Sequence, residues 1–415
     1  MRIGIFTDTY PPYINGVSTS IVMLKRALEK KGHQVYVVTV NPENYSYKYE
    51  DSDKIIRIPG IPIGIYDYRL TGVYPLRAID TIKKWNLDVI HSHTEFGVGT
   101  FARIIAKQLD IPLVHTYHTM YEDYVYYITK GYFDGTSKKI VEYLTKFYCD
   151  KTATELIVPT KKTYDLFKNK YKVDRNVHII PTGIEVDRFY REKYNKLDIS
   201  DLKKSLKIKP DEKVILFVGR LGKEKCVDVL LEGQKNISKV FPKCKLVIIG
   251  DGPDADEFKN VARKLKIENK VIFTGKVPWD DIPKYYQMAD LFATASNTET
   301  QGLTVIEAMA ASIPVVCLDD EAFRMVVVDG LNGKLFKNKR QYVKVITNLL
   351  KDEKERKKMG RQARISADEH SSKYFAERVL DVYRIAMGIS NDEEPPLKKN
   401  FFQRLKDVVK KGFHG

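Results

Sequence analysis

Short apolar runs alternate with helix-spaced segments along this chain in two separate series, and that alternation constrains the fold more than any other feature of the sequence. In the first series Arg2 to Thr7, Gln34 to Val40, Val89 to His91, Leu113 to Thr116, Glu155 to Val158 and Val177 to Ile180 read as buried strands. Ser18 to Lys31, Pro75 to Trp85 and Gly97 to Gln108 read as helices between them. Strands that are apolar throughout, joined by helical crossovers, are what a parallel sheet with helices on both faces requires. From Thr182 to about Asp211 the text turns polar and charged, through Gly183 and KLDISDLKKSLKIKPDEK, and reads as an inter-domain connection. A second series follows, with strands at Val214 to Val218, Lys245 to Ile249, Val271 to Phe273, Leu291 to Ala293 and Val315 to Leu318. Helices are expected between them at Val227 to Val240 and Asp254 to Lys266. The expectation is α/β: two Rossmann-like doubly wound domains, residues 1–182 and 213–373, separated by a linker over 183–212 and facing across a cleft.

In such sheets ligands bind beyond the carboxyl ends of the strands, and the loops that carry chemistry fall there. After the first strand comes DTYPPYINGV, with Gly16 just before a helix, where a backbone without a side chain lets a phosphate approach a helix N-terminus. After the fourth comes TYHTMYEDY; after the first strand of the second domain comes VGRLGKEK, in which Arg220 and Lys225 could clamp a diphosphate. Most telling is ETQGLTVIE, Glu299 to Glu307: one carboxylate before a helix, one inside it, and free N–H groups near Gly302, Leu303 and Thr304 between them. Each loop also has a plainer reading, as a turn, a solvated acid or surface cations. Taken together, phosphate binders and paired carboxylates on one cleft suggest a nucleotide-sugar, the cations stabilising charge on a departing diphosphate and the carboxylates holding hydroxyls. Neither a P-loop nor a DxD pair is present, so no metal is expected.

Lys and Arg number 70 against 54 Asp and Glu, a formal charge of +16 that favours an anionic partner without choosing one. The basic residues flank a cleft and a tail rather than interleaving with stacking aromatics, which argues against nucleic acid. Cys149, Cys226, Cys244 and Cys317 are scattered without a CxxC pair, so neither zinc nor a disulfide framework is indicated. The opening MRIGIF lacks the longer apolar core of a signal peptide, and no apolar run approaches a membrane span. A cytoplasmic protein is expected.

ETQGLTVIE, VGRLGKEK, the GDGP at Gly250 to Pro253, the FTGKV at Phe273 to Val277 and the early glycine loop together resemble the retaining glycosyltransferases of family 4, with the GT-B fold, from Arg2 to about Gly388. Within that family HSHTEFGVG at His91 to Gly99 and TYHTMYEDY at Thr116 to Tyr124 look most like the diacylglycerol glucosyltransferases of glycolipid synthesis. The resemblance implies that Gly16 donates its amide to the distal phosphate, that Arg220 and Lys225 bind the diphosphate, and that Glu307 holds the ribose. It implies that Glu299 meets the donor sugar with amides of Gly302, Leu303 and Thr304, and that the loop at Lys276 and Val277 frames the base. His118 matches the family histidine beside the reacting sugar, positioning or polarising while the leaving phosphate takes the acceptor proton by front-face displacement. UDP-glucose as co-substrate, diacylglycerol as acceptor and no further cofactor follow from the same resemblance. Three departures stand out: Cys226 where asparagine is usual, Ser312 where glycine is usual, and Tyr126 where histidine is expected. Serine at 312 is inexpensive unless the position needs a positive φ.

Two stretches bear on a membrane. KKIVEYLTKFYCDK places Ile140, Leu144, Phe147 and Tyr148 on one helical face with Lys138, Lys139 and Lys146 around it, a pattern that equally suits a helix packed into the core. Beyond a DEEPP break, residues 390–415 carry Phe401, Leu405, Val408 and Val409 at helical spacing, beside Phe402, with Lys398, Lys399, Arg404, Lys406, Lys410 and Lys411 against Asp407. An amphipathic helix on an anionic membrane surface fits that text, and so does a disordered end. Tyr374 to Met387 is expected as a helix that, by the family likeness, crosses back to the first domain. The expectation is therefore a peripheral enzyme at the inner face of the cell membrane. A soluble family-4 enzyme acting on a sugar or phosphoinositol, and a non-catalytic nucleotide-sugar or anionic-surface binder, are the alternatives.

Overall fold

The structure is a computed structural model. It describes residues 1–13, 16–62, 69–72, 74–95, 97–118, 146–297, 299, 301 and 302–389. The expectations for Tyr126, Lys138, Lys139 and everything from 390 onward, including Phe401, Phe402, Arg404, Leu405, Lys406, Val409 and Lys410, lie outside them.

The first domain is built on an eight-stranded sheet. Its strands are β1 (Arg2–Phe6), β2 (Gln34–Val40), β3 (Lys48–Glu50) and β4 (Ile55–Ile58), then, after a two-stranded ribbon β5 (Gly60–Pro62) and β6 (Arg69–Thr71), β7 (Val89–Ser92), β8 (Leu113–Thr116), β9 (Glu155–Val158) and β10 (Val177–Ile179). The order is β10-β9-β8-β7-β1-β2-β4-β3, parallel except for β3 against β4. Because side chains alternate across a strand, RIGIF feeds two cores. Ile3 and Ile5 pack with Ile21, Leu24 and Leu28 of helix α1 (Gly16–Lys30). Phe6 packs on the other face with Ile79 and Ile82 of α2 (Leu76–Trp85) and Phe101 and Ile105 of α3 (Gly97–Leu109).

The second domain carries β11 (Lys213–Val218), β12 (Cys244–Ile249), β13 (Val271–Gly275), β14 (Leu291–Thr294), β15 (Val315–Leu318) and β16 (Gly333–Phe336). They form an all-parallel sheet in the order β13-β12-β11-β14-β15-β16. KVILFV again alternates: Val214 and Leu216 face α6 (Leu303–Ala310), Ile215 and Phe217 face α4 (Val227–Val240), with α5 (Ala255–Lys264) alongside the latter. The chain runs outward from β11 to β13, then returns to β14 on β11's other side. This reversal opens a crevice between the ends of β11 and β14, the switch point where doubly wound sheets hold ligands. In the first domain the equivalent point lies between β1 and β7.

Residues 183–212 are packed rather than bare tether. Ile184, Val186, Phe189 and Ile208 are buried in the core of the second domain, and a helix spans Lys196–Ser205. The last described helix, α7 (Ser372–Ala386), buries Phe375, Val379, Leu380 and Tyr383 against β1 and α1 of the first domain. Each such apolar side chain contributes about 1.5–3 kcal/mol, so α7 ties the far end of the chain firmly to the first sheet. Among the described residues no helix is long and apolar enough to cross a membrane.

Candidate active site

On the second domain the crevice is lined by the loops that leave β11 and β14. The β11 loop brings Lys225 Nζ to 2.5 Å from Glu299 Oε1, both side chains about four-fifths covered. Arg220 lies on the same loop, pairs with Glu224 at 3.4 Å, and is 58% exposed. Both cations expected to meet a diphosphate are thus held by carboxylates, Lys225 by the one expected to meet the sugar. Gly302 follows at φ +71°, where a Cβ would sit 2.9 Å from Phe323. It caps α6 without a side-chain hydrogen bond, and the N–H groups of Leu303 and Thr304, in the first turn, have no intrahelical acceptor. The left-handed backbone at Gly302 therefore turns the chain so that Glu299 and the helix start converge.

Glu307 is one turn into α6, partly accessible, with the hydroxyl of fully buried Tyr286 donating to its Oε2 at 2.7 Å. Burial pushes its carboxyl up to about 7, with Tyr286 and Arg188 pulling the other way. Val277 packs, partly buried, at the edge of the same core, beside exposed Lys276. Between Glu299 and Gly302, buried Gln301 reaches the segment just beyond the other domain's last strand: Thr182 N–H donates to its Oε1 at 2.8 Å, and its Nε2 donates to Thr182 O at 2.6 Å. Thr182 in turn touches Ser20 of α1 at 3.1 Å. The loop carrying Glu299 is therefore pinned to the segment where the chain leaves the first domain.

Across the cleft, Gly16 is the exposed first residue of α1, and apart from its chain neighbours and its own helix backbone nothing lies within 4 Å of where its Cβ would be. His118 follows β8 and joins a group that the sequence did not single out. Its Nε2 is 2.9 Å from His93 Nδ1, with the two rings stacked. His93 lies against His91, centroids 4.0 Å apart, and His91 bonds Thr116 Oγ1 and the hydroxyl of Tyr383 on α7, both at 2.7 Å. His115 is held between Ser92 Oγ at 2.7 Å and Glu95 Oε1 at 3.0 Å. Burial lowers all four histidines, His118 to about 4, so the cluster is uncharged at neutral pH. A neutral ring has one N–H, so one of His93 and His118 donates to the other. The parallel pairing of β7 and β8, His91 opposite Val114, delivers the two rings to the same strand-end. Buried Asp8, after β1, accepts from Thr94 Oγ1 at 2.5 Å and from Val98 N–H at 2.9 Å, capping α3 from a distance. Gly99 lets that turn close, since a Cβ there would meet the Thr94 carbonyl at 1.8 Å. Buried Arg57 on β4 donates to the Pro11 carbonyl at 2.8 Å and so braces the loop leading to Gly16.

Two departures acquire a physical meaning. Cys226 has φ +47° and Ser312 φ +63°, so both positions require the left-handed backbone that asparagine and glycine adopt at lower cost. Lys146 immediately precedes a π-helical turn over Phe147–Lys151. Among the described residues no cluster of acidic, histidine or cysteine side chains has the makings of a metal site.

Residues 14–188 match the family model described as Glycosyltransferase Family 4, and residues 198–366 that described as Glycosyl transferases group 1. The chain is 37% identical over 388 residues to the alpha-monoglucosyldiacylglycerol synthase of Acholeplasma laidlawii, covering 92% of this chain and 96% of that one. It is 37% identical over 406 residues to the protein of the same name from Streptococcus pneumoniae, covering 96% and 89%. Among solved structures, the sucrose-phosphate synthase of Thermosynechococcus elongatus superposes with a TM-score of 0.71 at 19% identity, over 94% of this chain and 99% of that one. Anabaena HepE in complex with UDP and glucose gives 0.68 at 17% identity, over 92% and 98%.

Proposed function

Because the chain belongs to glycosyltransferase family 4, with the GT-B fold, we propose that it moves glucose from UDP-glucose to the 3-hydroxyl of 1,2-diacylglycerol, retaining the α configuration, at an anionic membrane surface. It is a glycosyltransferase of glycolipid synthesis, and glucosyl transfer to diacylglycerol is its reaction. What carries the reading is the meeting of Lys225, Glu299, the uncapped start of α6 and Glu307 at one switch point, in a chain that matches lipid glucosyltransferases through both domains.

In this reading the donor's diphosphate takes over Lys225 and Arg220 from Glu299 and Glu224. Glu299 is thereby freed to accept from sugar hydroxyls, while the amides at Leu303 and Thr304 add fixed dipoles. Glu307 accepts from the ribose diol, and Val277 bounds the base. As the bond from the anomeric carbon to the diphosphate oxygen breaks, the lipid hydroxyl attacks the same face and its proton passes to the departing phosphate. His118, neutral and positioned by His93, donates a hydrogen bond rather than a proton. Charge neutralisation comes from the two cations and the helix start, so the step needs no divalent ion. The basic stretch around Lys138, Lys139 and Lys146 and the tail from 390 onward would hold the enzyme where its acceptor is, lysines to anionic headgroups and Phe401, Phe402, Leu405 and Val409 to the acyl boundary.

A panel of UDP- and GDP-sugars, offered with diacylglycerol in mixed micelles containing EDTA, tests donor, metal and stereochemistry at once. Turnover with UDP-glucose alone and a small anomeric proton coupling in the product, as an α-glucoside gives, are expected. Transfer from another donor, a β-linked product or loss of activity with EDTA would each remove that part of the proposal.

A further inference from the structure

At the opposite end of the second sheet's strands from the cleft lies a cavity of about 430 Å³ that the reaction does not use. Lys213 opens β11, Asp290 precedes β14 and Pro314 precedes β15, which places the cavity at the amino ends of strands whose carboxyl ends form the donor crevice. Its other wall comes from the segment between the domains, through Arg191, Lys196 and Lys203. With Lys213, Arg356 and Lys357 this makes six cations around one cavity, against the two carboxylates Asp290 and Glu353. The carboxylates are already engaged. Asp290 holds Lys213 at 3.2 Å and Arg356 at 3.4 Å and accepts from Val214 N–H at 3.0 Å, while Glu353 holds Lys357 at 2.6 Å. Among the described residues Arg191, Lys196 and Lys203 form no ion pair.

Lys203 is the informative member. It is partly buried, and its ammonium is driven below the usual lysine range by lost solvation and by Lys213 and Arg191, with Asp290 opposing. A cation held out of water among like charges weakens the fold, and such groups recur where a ligand supplies the missing charge. The volume has room for a phosphate and a small organic group.

We propose that this cavity is a binding site for a phosphate-bearing anion, bridged between cations of the inter-domain segment and cations of the second domain. Free phosphate esters and the phosphate of a lipid headgroup share that chemistry. Occupancy draws residues 191–203 onto the amino ends of the strands and stiffens the stretch that leads from Thr182 into the second domain.

Thermal unfolding of the whole chain with inorganic phosphate, against sodium chloride of equal ionic strength, reads the site. With Arg220→Met in place to weaken phosphate binding in the catalytic cleft, the chain is expected to keep a saturable rise in Tm, and adding Lys203→Met to leave only the general salting effect of phosphate. Without phosphate Lys203→Met is expected to unfold at a higher temperature than wild type, because it removes an ammonium that folding strips of solvation. Arg191→Gln weakens phosphate binding about tenfold, the loss of one charged hydrogen bond, and serves if Lys203→Met does not fold. Phosphatidylglycerol vesicles that abolish the Lys203-dependent rise, where phosphatidylcholine vesicles do not, would assign a lipid headgroup; vesicles without effect would assign a soluble phosphate. A rise that is equal in Arg220→Met alone and with Lys203→Met or Arg191→Gln added to it, or absent from all three, overturns the proposal.

Discussion

Glu307 offers the sharpest test of the donor site, because burial brings its titration into the neutral range. Burial raises its carboxyl to about 7, and the ionised form offers an acceptor oxygen to each hydroxyl of a ribose, whereas protonation turns one of those oxygens into a donor. At pH 8 about nine-tenths of it is ionised and at pH 6 about one-tenth, so the donor KM is expected to rise about tenfold on going from pH 8 to pH 6. The nucleotide-sugar, a diphosphate diester, does not titrate there, and His118, at about 4, stays neutral. Tyr286→Phe removes the hydroxyl that donates at 2.7 Å to the ionised carboxylate. A hydrogen bond to a charged group is worth about 1.5–3 kcal/mol, which moves the midpoint of the KM profile up by about one to two pH units. Glu307→Gln flattens the profile. The sign for stability is opposite: a carboxyl raised in the folded state binds its proton more tightly there, so its contribution falls as pH climbs from the unfolded value through about 7. Glu307→Gln is thus expected to raise Tm at pH 8 while weakening donor binding. The assay is initial-rate kinetics at saturating acceptor from pH 5.5 to 9, with calorimetry alongside. A donor KM that is flat in wild type, or a slope that survives in Glu307→Gln, would refute the reasoning.

Further outcomes follow from single residues. Ser312→Gly relieves a left-handed serine at about 1–2 kcal/mol and gives back about 0.5–1 in unfolded-state entropy, so a net gain of about 0.5–1 kcal/mol should appear in calorimetry with activity unchanged. Gly16→Ala has open space for its Cβ and a better helix former at the start of α1, so Tm should hold or rise while kcat/KM for the donor falls at least tenfold; equal kcat/KM would remove the phosphate role of Gly16. His93→Leu deprives His118 of its partner and should lower kcat tenfold or more at unchanged donor KM, with His93→Asn, whose amide reaches the Nδ1 position, restoring most of it. Removing residues 390–415 should reduce sedimentation with anionic vesicles while leaving turnover on detergent-dispersed acceptor intact.

The two sheets were legible because their strands are apolar throughout and of ordinary length, which is what burial on both faces demands. What escaped was short or locally polar. In β4, IIRI carries Arg57, whose burial makes sense only once Glu50 on β3 and the Pro11 carbonyl are beside it. The strand β16 is four residues at a sheet edge. Residues 183–212 read as an inter-domain connection because polar and charged residues of both signs run through them, while Val186 and Phe189, set singly among charges, form a buried face through a 3-10 turn. At the site, Lys225 and Glu299 are 74 positions apart in the chain, and what anticipated their meeting was that both follow strands of one sheet. The histidine cluster left a faint signal, HSH ending one strand and HTYH the next, but its bonds run between strands and to Tyr383 on the last helix, which no local pattern reports. A positive φ at Cys226 and Ser312 is equally silent in sequence, since neither residue advertises it.

The central claim is that this cleft passes glucose to a lipid. The direct measurement is the partition of label from UDP-glucose between organic and aqueous phases, with diacylglycerol in mixed micelles, for wild type, His118→Ala and Lys225→Ala. The account predicts labelled glycolipid with wild type and a loss of about 100-fold or more in each variant. Label confined to water-soluble product, or variants as active as wild type, would contradict it.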